Sequence, residues 1–479
     1  MMYGIGNGIV GVISFLLLPM YSVHLTPEDY GYLTIFTSFQ AFLEIVISFG
    51  ITSGLFRYFL MSESDQEREV VLNTCFFMQI FLMLIASLIL LNPASLHLLS
   101  NGFFKSSDYS VHFGLVVLSS LLSALSSFFF GFTRVQKKAK FFVGMQFVKA
   151  LLLLTINYFF VSVLQMKFYG IILGNLLALS LTTLGTCFWF APFIKITFSA
   201  KVFRKVLFFT FPVVLLNSLN FILTFSDRFL ISRFLSNEDV GLYSFSIKIA
   251  SVLQLGMILP FSTAFPPYAF SLANDPSFGF KFSKIIKYFT ILMFFLSAGL
   301  CIFSKEFFHV FANQRYASSH NLVGLFLLAN IFNGLYYILS ITFDIKEKTY
   351  ISFFVILVGA IVSVCLNLIL IPLLGTVGSA IALCLSNAFL VVSMYFLCQR
   401  NFPIPHELAA FFKLLIFYSF VLLISFWPAS FFEIFFAQKI FLSVALVICA
   451  YFTSIFSIEE KKYFQLFTKN FFRTMFKKT

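Results

Sequence analysis

Apolar segments of about 20 residues follow one another from the first residues almost to the last. That is the length an α-helix needs to cross the hydrocarbon of a bilayer, where a helix satisfies its own backbone hydrogen bonds. Fourteen are present, near residues 3–24, 32–54, 70–92, 109–132, 142–164, 169–190, 206–228, 240–264, 285–304, 319–341, 350–372, 376–397, 408–428 and 435–456. A transmembrane barrel would show roughly ten-residue alternating segments instead. Connections run to about 20 residues at most, leaving no room for a separate soluble domain. Composition agrees: 60% of residues are hydrophobic and 11% charged, against roughly 25% charged in globular chains. The expected fold is an all-α membrane protein of about 14 transmembrane helices.

The segments are also duplicated. Leu25-Thr26-Pro27-Glu28-Asp29-Tyr30-Gly31 recurs as Leu235-Ser236-Asn237-Glu238-Asp239-Val240-Gly241, 210 positions later, and each copy joins two apolar segments. The same offset pairs Asn7 with Asn217, Ser14 with Thr224, Phe15 with Phe225 and Asn157 with Asn367. Six segments are therefore repeated. A membrane protein of two equivalent halves is most often a transporter with its site between them. The expected organisation is an N-lobe over 1–192 (helices 1–6), a basic linker over 193–205 and a C-lobe over 206–399 (helices 7–12). Helices 13 and 14 follow over 400–457, and a basic tail over 458–479. In the repeated heptads Thr26 and Ser236 are suited to N-cap helices 2 and 8, with Asp29 and Asp239 as capping-box acids. A tight polar hairpin is expected at each copy, in preference to a ligand site.

The formal charge of +13 is distributed unevenly. Connections from even to odd helices, with the tail, hold 22 Lys and Arg; the opposite side holds seven, and Lys149, Lys248 and Lys413 fall inside apolar segments. By the positive-inside rule both termini are expected in the cytoplasm of a multi-pass cell-membrane protein. The positive balance then reports topology and anionic headgroups, and nucleic acid is not an expected partner. The start lacks the basic region and small-residue cleavage site of a signal peptide. The seven cysteines lie in or beside apolar segments without a Cys-x-x-Cys, so neither a disulfide framework nor a metal site is expected. No phosphate-binding glycine loop, dinucleotide fingerprint or nucleophile elbow occurs. Neither an enzymatic role nor a cofactor is expected.

Polar residues inside the spans carry the functional information. Thr37, Gln40, Glu44 and Ser48 line one face of helix 2; Asn217, Asn220, Thr224 and Asp227 do the same on helix 7. Asn7, Gly11 and Ser14 repeat the pattern on helix 1, Gln146, Lys149 and Asn157 on helix 5, and Ser244, Lys248 and Ser251 on helix 8. A charged side chain at the bilayer centre costs roughly 2.5–3.5 kcal/mol even on the lenient scale, so such residues face the bundle interior or a watery cavity. Two readings stay open. Glu44 pairs with Lys149 or Lys248 and the Ser and Asn residues join helices, or the lysines present positive charge to a cavity. Arg57 either snorkels to the interface or joins them. Glu44 and Asp227 are candidates for H⁺ or Na⁺ coupling, unless Asp227 merely pairs with Arg228.

The stretch from Asp227-Arg228-Phe229-Leu230 through Glu238-Asp239-Val240-Gly241-Leu242-Tyr243, followed by Lys248-Ile249-Ala250, resembles the helix 7 to helix 8 signature of polysaccharide flippases. These belong to the multidrug/oligosaccharidyl-lipid/polysaccharide exporter superfamily. Tyr3-Gly4-Ile5-Gly6-Asn7 with Phe15-Leu16-Leu17-Leu18-Pro19-Met20-Tyr21 is similar to their first helix, and Gly50-Ile51-Thr52-Ser53-Gly54-Leu55-Phe56-Arg57-Tyr58 to the end of their second. Asn367 through Gly378-Ser379-Ala380, with Tyr169-Gly170 in the first half, is similar to their helix 11 to helix 12 turn. The resemblance covers roughly residues 3–400. The family usually carries a short basic cytoplasmic segment before helix 1; here Met1-Met2-Tyr3 stands almost inside it, and a shortened start is expected.

The resemblance implies two six-helix lobes around a central cavity, plus two C-terminal helices. It implies translocation of undecaprenyl-diphosphate-linked oligosaccharide, of O-antigen or exopolysaccharide type, from the cytoplasmic to the outer leaflet by alternating access. The polymerase and other assembly proteins are the implied partners. Arg57, Lys149 and Lys248 are then expected to bind the diphosphate, and Asn7, Gln40, Gln146, Asn157, Asn217, Asn220 and Thr224 to face the sugars. Alternatives are a lipid II flippase of peptidoglycan synthesis, a cation-coupled drug exporter using Glu44 and Asp227, and a non-transporting scaffold for glycan-assembly enzymes.

Overall fold

The computed structural model describes residues 2–272, 275–401 and 408–426. In the first half, α1 (Met2–Leu16) with α2 (Leu18–His24) forms span 1, and α3 (Pro27–Ser48) with α4 (Ile51–Met61) span 2. Spans 3 to 6 are α5 (Asp65–Leu90), α7 (Ser110–Val135), α8 (Ala139–Tyr158, extended by a π-helical turn Phe159–Val163) and α9 (Lys167–Phe190), with the short α6 (Pro93–Phe104) after α5. The second half repeats this order. Its spans are α10 (Ala200–Phe234), α11 (Asn237–Leu253) continued through a π turn Gln254–Ile258 into α12 (Leu259–Ser271), then α13 (Phe278–Ile302) and α15 (Leu322–Ile345). The short α14 (Ser304–Phe311) follows α13 as α6 follows α5. Spans 11 and 12 are the two arms of α16 (Thr349–Asn401), and α17 (Leu408–Phe426) is span 13. The expected helix 14 and basic tail lie outside the described residues.

Thirteen of the expected spans are thus present in order, and neither α6 nor α14 was anticipated. Both are only 8 to 12 residues and were hidden in the apolar ends of their neighbours. The breaks have local causes. Span 2 bends at Phe49-Gly50, where both residues are left-handed (φ +46° and +63°); glycine takes that conformation at no steric cost. Span 11 gives way to span 12 at Gly375, also at φ +63°, just after Pro372.

The two heptads start α3 and α11 as their capping chemistry predicts. Thr26 Oγ1 accepts from the Asp29 backbone N–H, and Asp29 accepts in return from the Thr26 backbone N–H. Ser236 Oγ accepts from the Asp239 N–H at 3.1 Å. Both heptads lie at the same end of the molecule, since α3 and α11 pack against one another along that end.

One large apolar core runs through the second half and into spans 1 and 2. A second, at the end remote from the heptads, is a knot of Phe76, Phe128, Phe129, Phe132 and Phe190, with Phe129 and Phe190 centroids 4.8 Å apart. Large apolar side chains also cover the outside: Leu88, Phe188, Phe208 and Ile416 are all more than 70% exposed. Such a surface belongs against lipid tails, and the protein is a multi-pass membrane protein.

Polar side chains also join the spans. Asn157, 1% exposed, donates from Nδ2 to the Tyr21 hydroxyl and to Asn175 Oδ1, both at 3.1 Å, tying α8 to α2 and α9. Such bonds contribute about 0.6–2 kcal/mol each between membrane helices. Asn157→Ala is therefore expected to lower the thermal unfolding midpoint of the detergent-solubilised protein; an unchanged midpoint would show that these bonds add nothing to stability.

Candidate functional site

Between the lobes, beneath the heptad end, lies a cavity of about 550 Å³. Ser14 of α1 and Thr34, Thr37 and Ser38 of α3 line its N-lobe wall; Arg228 of α10, Lys248 and Ser251 of α11 and Gln254 line the facing wall. The wall is rich in hydroxyls for a simple physical reason. Positions 34, 37 and 38, like 244, 248 and 251, fall on one helix face, and each face turns inward because the opposite one is apolar.

Lys248 is the cation of this cavity that has no acid to neutralise it. Among the described residues no carboxylate lies within 4.0 Å of its ammonium, and it is half-buried. One turn earlier on the same face, the hydroxyl of Ser244, only 6% exposed, has no hydrogen-bond partner among the described residues. A helix interior between lipid and protein does not ordinarily leave such groups unused. Together they offer a positive charge and a hydroxyl donor to an anionic or hydroxyl-bearing guest.

Arg228 is committed elsewhere. Its guanidinium donates to Asp227 Oδ1 at 2.9 Å and to the Thr224 carbonyl at 2.6 Å, with its Cζ 4.7 Å from the Phe225 ring centroid. Tyr243 donates to Asp227 Oδ2 at 2.6 Å, and Ser379 links the Tyr243 hydroxyl to Asn367 Oδ1. Both oxygens of Asp227 are therefore occupied, and the pairing with Arg228 expected from sequence is present, at 2% and 7% exposure. The network unites spans 7, 8, 11 and 12.

The remaining predicted residues are dispersed. Glu44 accepts from Ser123 Oγ at 2.6 Å and Ser127 Oγ at 2.9 Å, both on α7, and forms an ion pair with neither lysine. Lys149 feels the charge of Glu44 from α8, yet no carboxylate stands within 4.0 Å of it among the described residues. Arg57 is exposed, with its guanidinium 4.6 Å from the centre of the Phe209 ring. It lies 26 residues beyond Gly31, roughly 39 Å along the span, whereas Lys248 is seven residues beyond Gly241, roughly 10 Å. In this arrangement one diphosphate cannot touch Arg57 and Lys248 at once.

Gln40 is half-buried on α3, and Gln146 is buried against Gly6 of α1. Asn157 is the helix-joining residue described above. Asn217, Asn220 and Thr224 are exposed along one face of α10; Asn220 donates to the Leu216 carbonyl and Thr224 to the Asn220 carbonyl. Asn7 lies in α1, and its side chain falls outside the described residues. Sequence reasoning missed Gln254 and Asn333 as cavity residues. Their signal was weak: Gln254 sits in the π turn, which shifts it off the periodic face. Among the described residues no cluster of His, Cys, Asp and Glu has the make-up of a metal site.

Two pseudo-symmetric lobes around a hydroxyl-lined, cationic cavity define a fold of the multidrug/oligosaccharidyl-lipid/polysaccharide exporter type. The comparison with solved structures agrees. The chain is similar to a lipid II flippase, MurJ, in an inward closed conformation, with a TM-score of 0.73 at 16% identity, covering 93% of this chain and 97% of that one. It is similar to an inward-facing multidrug-resistance transporter of the MATE family (TM-score 0.65, 13% identity, 83% and 94% covered). A transporter of the same superfamily from Pyrococcus furiosus follows at TM-score 0.60 and 15% identity, 83% and 94% covered. Residues 24–321 match the family model described as polysaccharide biosynthesis protein, and the chain belongs to that family. Comparison with curated protein sequences returns no match.

Asp227→Ala would strand the Arg228 guanidinium in a buried site, at a cost of about 3–5 kcal/mol. Folded yield and thermal midpoint in detergent are expected to fall sharply, and adding Arg228→Leu to restore most of the loss. A single mutant as stable as the parent would show that the pair does not hold the C-lobe together.

Proposed function

We propose that the protein is a flippase that carries a polyprenyl-diphosphate-linked oligosaccharide from the cytoplasmic to the outer leaflet of the cell membrane for polysaccharide biosynthesis. The observation that carries this reading is Lys248: a half-buried cation without an ion-pair partner among the described residues, beside the Ser244 hydroxyl that none of them bonds, in a cavity walled by both lobes. The excess of basic residues on one side orients the molecule, with the termini and Arg57 in the cytoplasm and the heptads outside.

The chemistry of such a substrate explains the design. Its polyprenyl tail is soluble in lipid, but its sugars and diphosphate would lose their water in hydrocarbon without replacement. Hydroxyls of Ser14, Thr34, Thr37, Ser244 and Ser251 replace hydrogen bonds to sugar, and Lys248 counters the diphosphate. Arg57, with Lys149 deeper in, serves as an earlier station on the cytoplasmic side, since the cations are spread along the path. Rocking of one lobe against the other then exposes the cavity to each side in turn. Lys248→Ala is expected to abolish glycan export while leaving folded protein at parental levels; normal surface glycan in that mutant would sink the assignment. Mass analysis of polyprenyl-diphosphate intermediates in depleted cells separates the readings. Accumulated oligosaccharide-lipid supports this one, and accumulated lipid II moves the protein to wall synthesis.

Of the two deep acids, we assign ion coupling to Glu44, because its partners are two neutral hydroxyls and a lysine outside ion-pair distance, whereas both oxygens of Asp227 are taken. Glu44→Gln is expected to make transport in proteoliposomes insensitive to an imposed pH or Na⁺ gradient. Retained sensitivity to both would remove Glu44 from coupling.

A further inference from the structure

The two copies of the heptad meet each other. A Cβ placed on Gly31 would stand 1.8 Å from the Asn237 carbonyl oxygen and 3.2 Å from the Gly241 nitrogen. One placed on Gly241 would stand 1.8 Å from the Pro27 carbonyl oxygen and 3.0 Å from the Gly31 nitrogen. The contact is reciprocal: the same patch of each lobe touches its equivalent, as at a two-fold interface. Neither glycine has a left-handed backbone, so each is there for close approach of two helices and not for a turn. The capping bonds of Thr26 with Asp29 and of Ser236 with Asp239 fix the two first turns that touch.

A one-sided bolt crosses this seam. Tyr316, from the C-lobe, donates toward the carbonyls of Leu25 and Thr26 in the N-lobe at 3.2 and 3.0 Å, and the Asn313 N–H donates to Ser22 Oγ at 3.2 Å. Tyr30 lies directly under the crossing, meets the rings of Phe245 and Tyr316 edge-on and lines the cavity as its roof. The duplicated heptad is therefore more than a marker of the repeat.

We propose that the two heptads, bolted by Tyr316, are the outer gate of the pathway, closed by backbone contact at Gly31 and Gly241 and opened when the lobes part there. This rests on the flippase reading for its direction and purpose. Its test does not need the substrate. Thr34, three residues below Gly31 in the cavity wall, is replaced by cysteine in the full chain. Its reaction with a membrane-impermeant maleimide added outside intact cells is timed, with the parent and its native cysteines as background. Labelling of Thr34→Cys is expected to be slow, about tenfold faster when Tyr316→Phe removes the bolting hydroxyl, and faster still with Gly31→Ala. Equal rates in all three would overturn the gate. Should Gly31→Ala fail to fold, the pair Ser22→Cys with Asn313→Cys gives the complementary arm. Oxidising it is expected to slow labelling in the Tyr316→Phe background and reduction to restore it; a rate indifferent to oxidation, once the cross-link is confirmed, would likewise overturn the gate. Accessibility that responds as expected while Lys248→Ala exports normally would leave the gate in place and sink only the substrate assignment.

Discussion

Hydrocarbon offers no hydrogen bonds, and this constraint sorts every polar group in the molecule. A polar side chain in a span is either bonded to another part of the protein or held against a space that water or a ligand fills. Asn157 with Tyr21 and Asn175, and Asp227 with Arg228 and Tyr243, are of the first kind. Lys248 and Ser244 are of the second, and they share one cavity. That division, more than residue type, separates scaffold from site. It is also why the proposed reading gives coupling to Glu44 and not to the more conspicuous Asp227, whose charge is neutralised by Arg228 and whose two oxygens both accept hydrogen bonds.

The duplication explains the architecture and also where it is imperfect. Matching halves give two lobes that touch at matching glycines, and short helices α6 and α14 in matching places. Function needs the symmetry to be broken. Tyr316 bolts the N-lobe carbonyls, whereas the offset places Ser106 at the equivalent position of the first half, and its hydroxyl bonds Asp108 within its own loop. The reciprocal capping box is complete at Thr26, with Asp29 8% exposed. Asp239 holds Ser236 at the other copy, where the cap is exposed.

Much of this was legible in sequence. Spans 1 to 13, the repeat, the caps at Thr26 and Ser236 and the place of Lys248 in a cavity wall follow from hydrophobic length, spacing and charge. What could not be read was which polar residue would find a partner. Asn157 and Lys248 look alike as polar residues in apolar segments, yet helix rotation gives the side chain of one two bonds and leaves the other none among the described residues. Periodicity places residues on a face of one helix but does not say what that face meets. Arg57, Lys149 and Lys248 are all expected at the diphosphate, yet helix rise separates Arg57 from Lys248 by most of a membrane. The meeting of Gly31 with Gly241 was hidden differently: sequence showed two glycines at the offset, but only packing shows that each copy's partner is the other copy.

The gate and the site are coupled by position. Lys248 stands on α11, two turns below the crossing at Gly241 in the same helix, while Ser14, Thr34 and Thr37 face it from the other lobe. A ligand shifts a conformational equilibrium only by contacting its two states differently. A head group held at once by Lys248 and by hydroxyls of the opposite lobe favours the arrangement in which both reach it, and parting of the lobes removes one set of contacts. A single lysine outside ion-pair distance of every acid among the described residues suits that task better than a tight cationic cluster would. It attracts a diphosphate strongly enough to recruit it, and weakly enough that losing the far wall releases it. On the proposed reading, the sparse charge of this cavity is therefore what makes turnover compatible with capture.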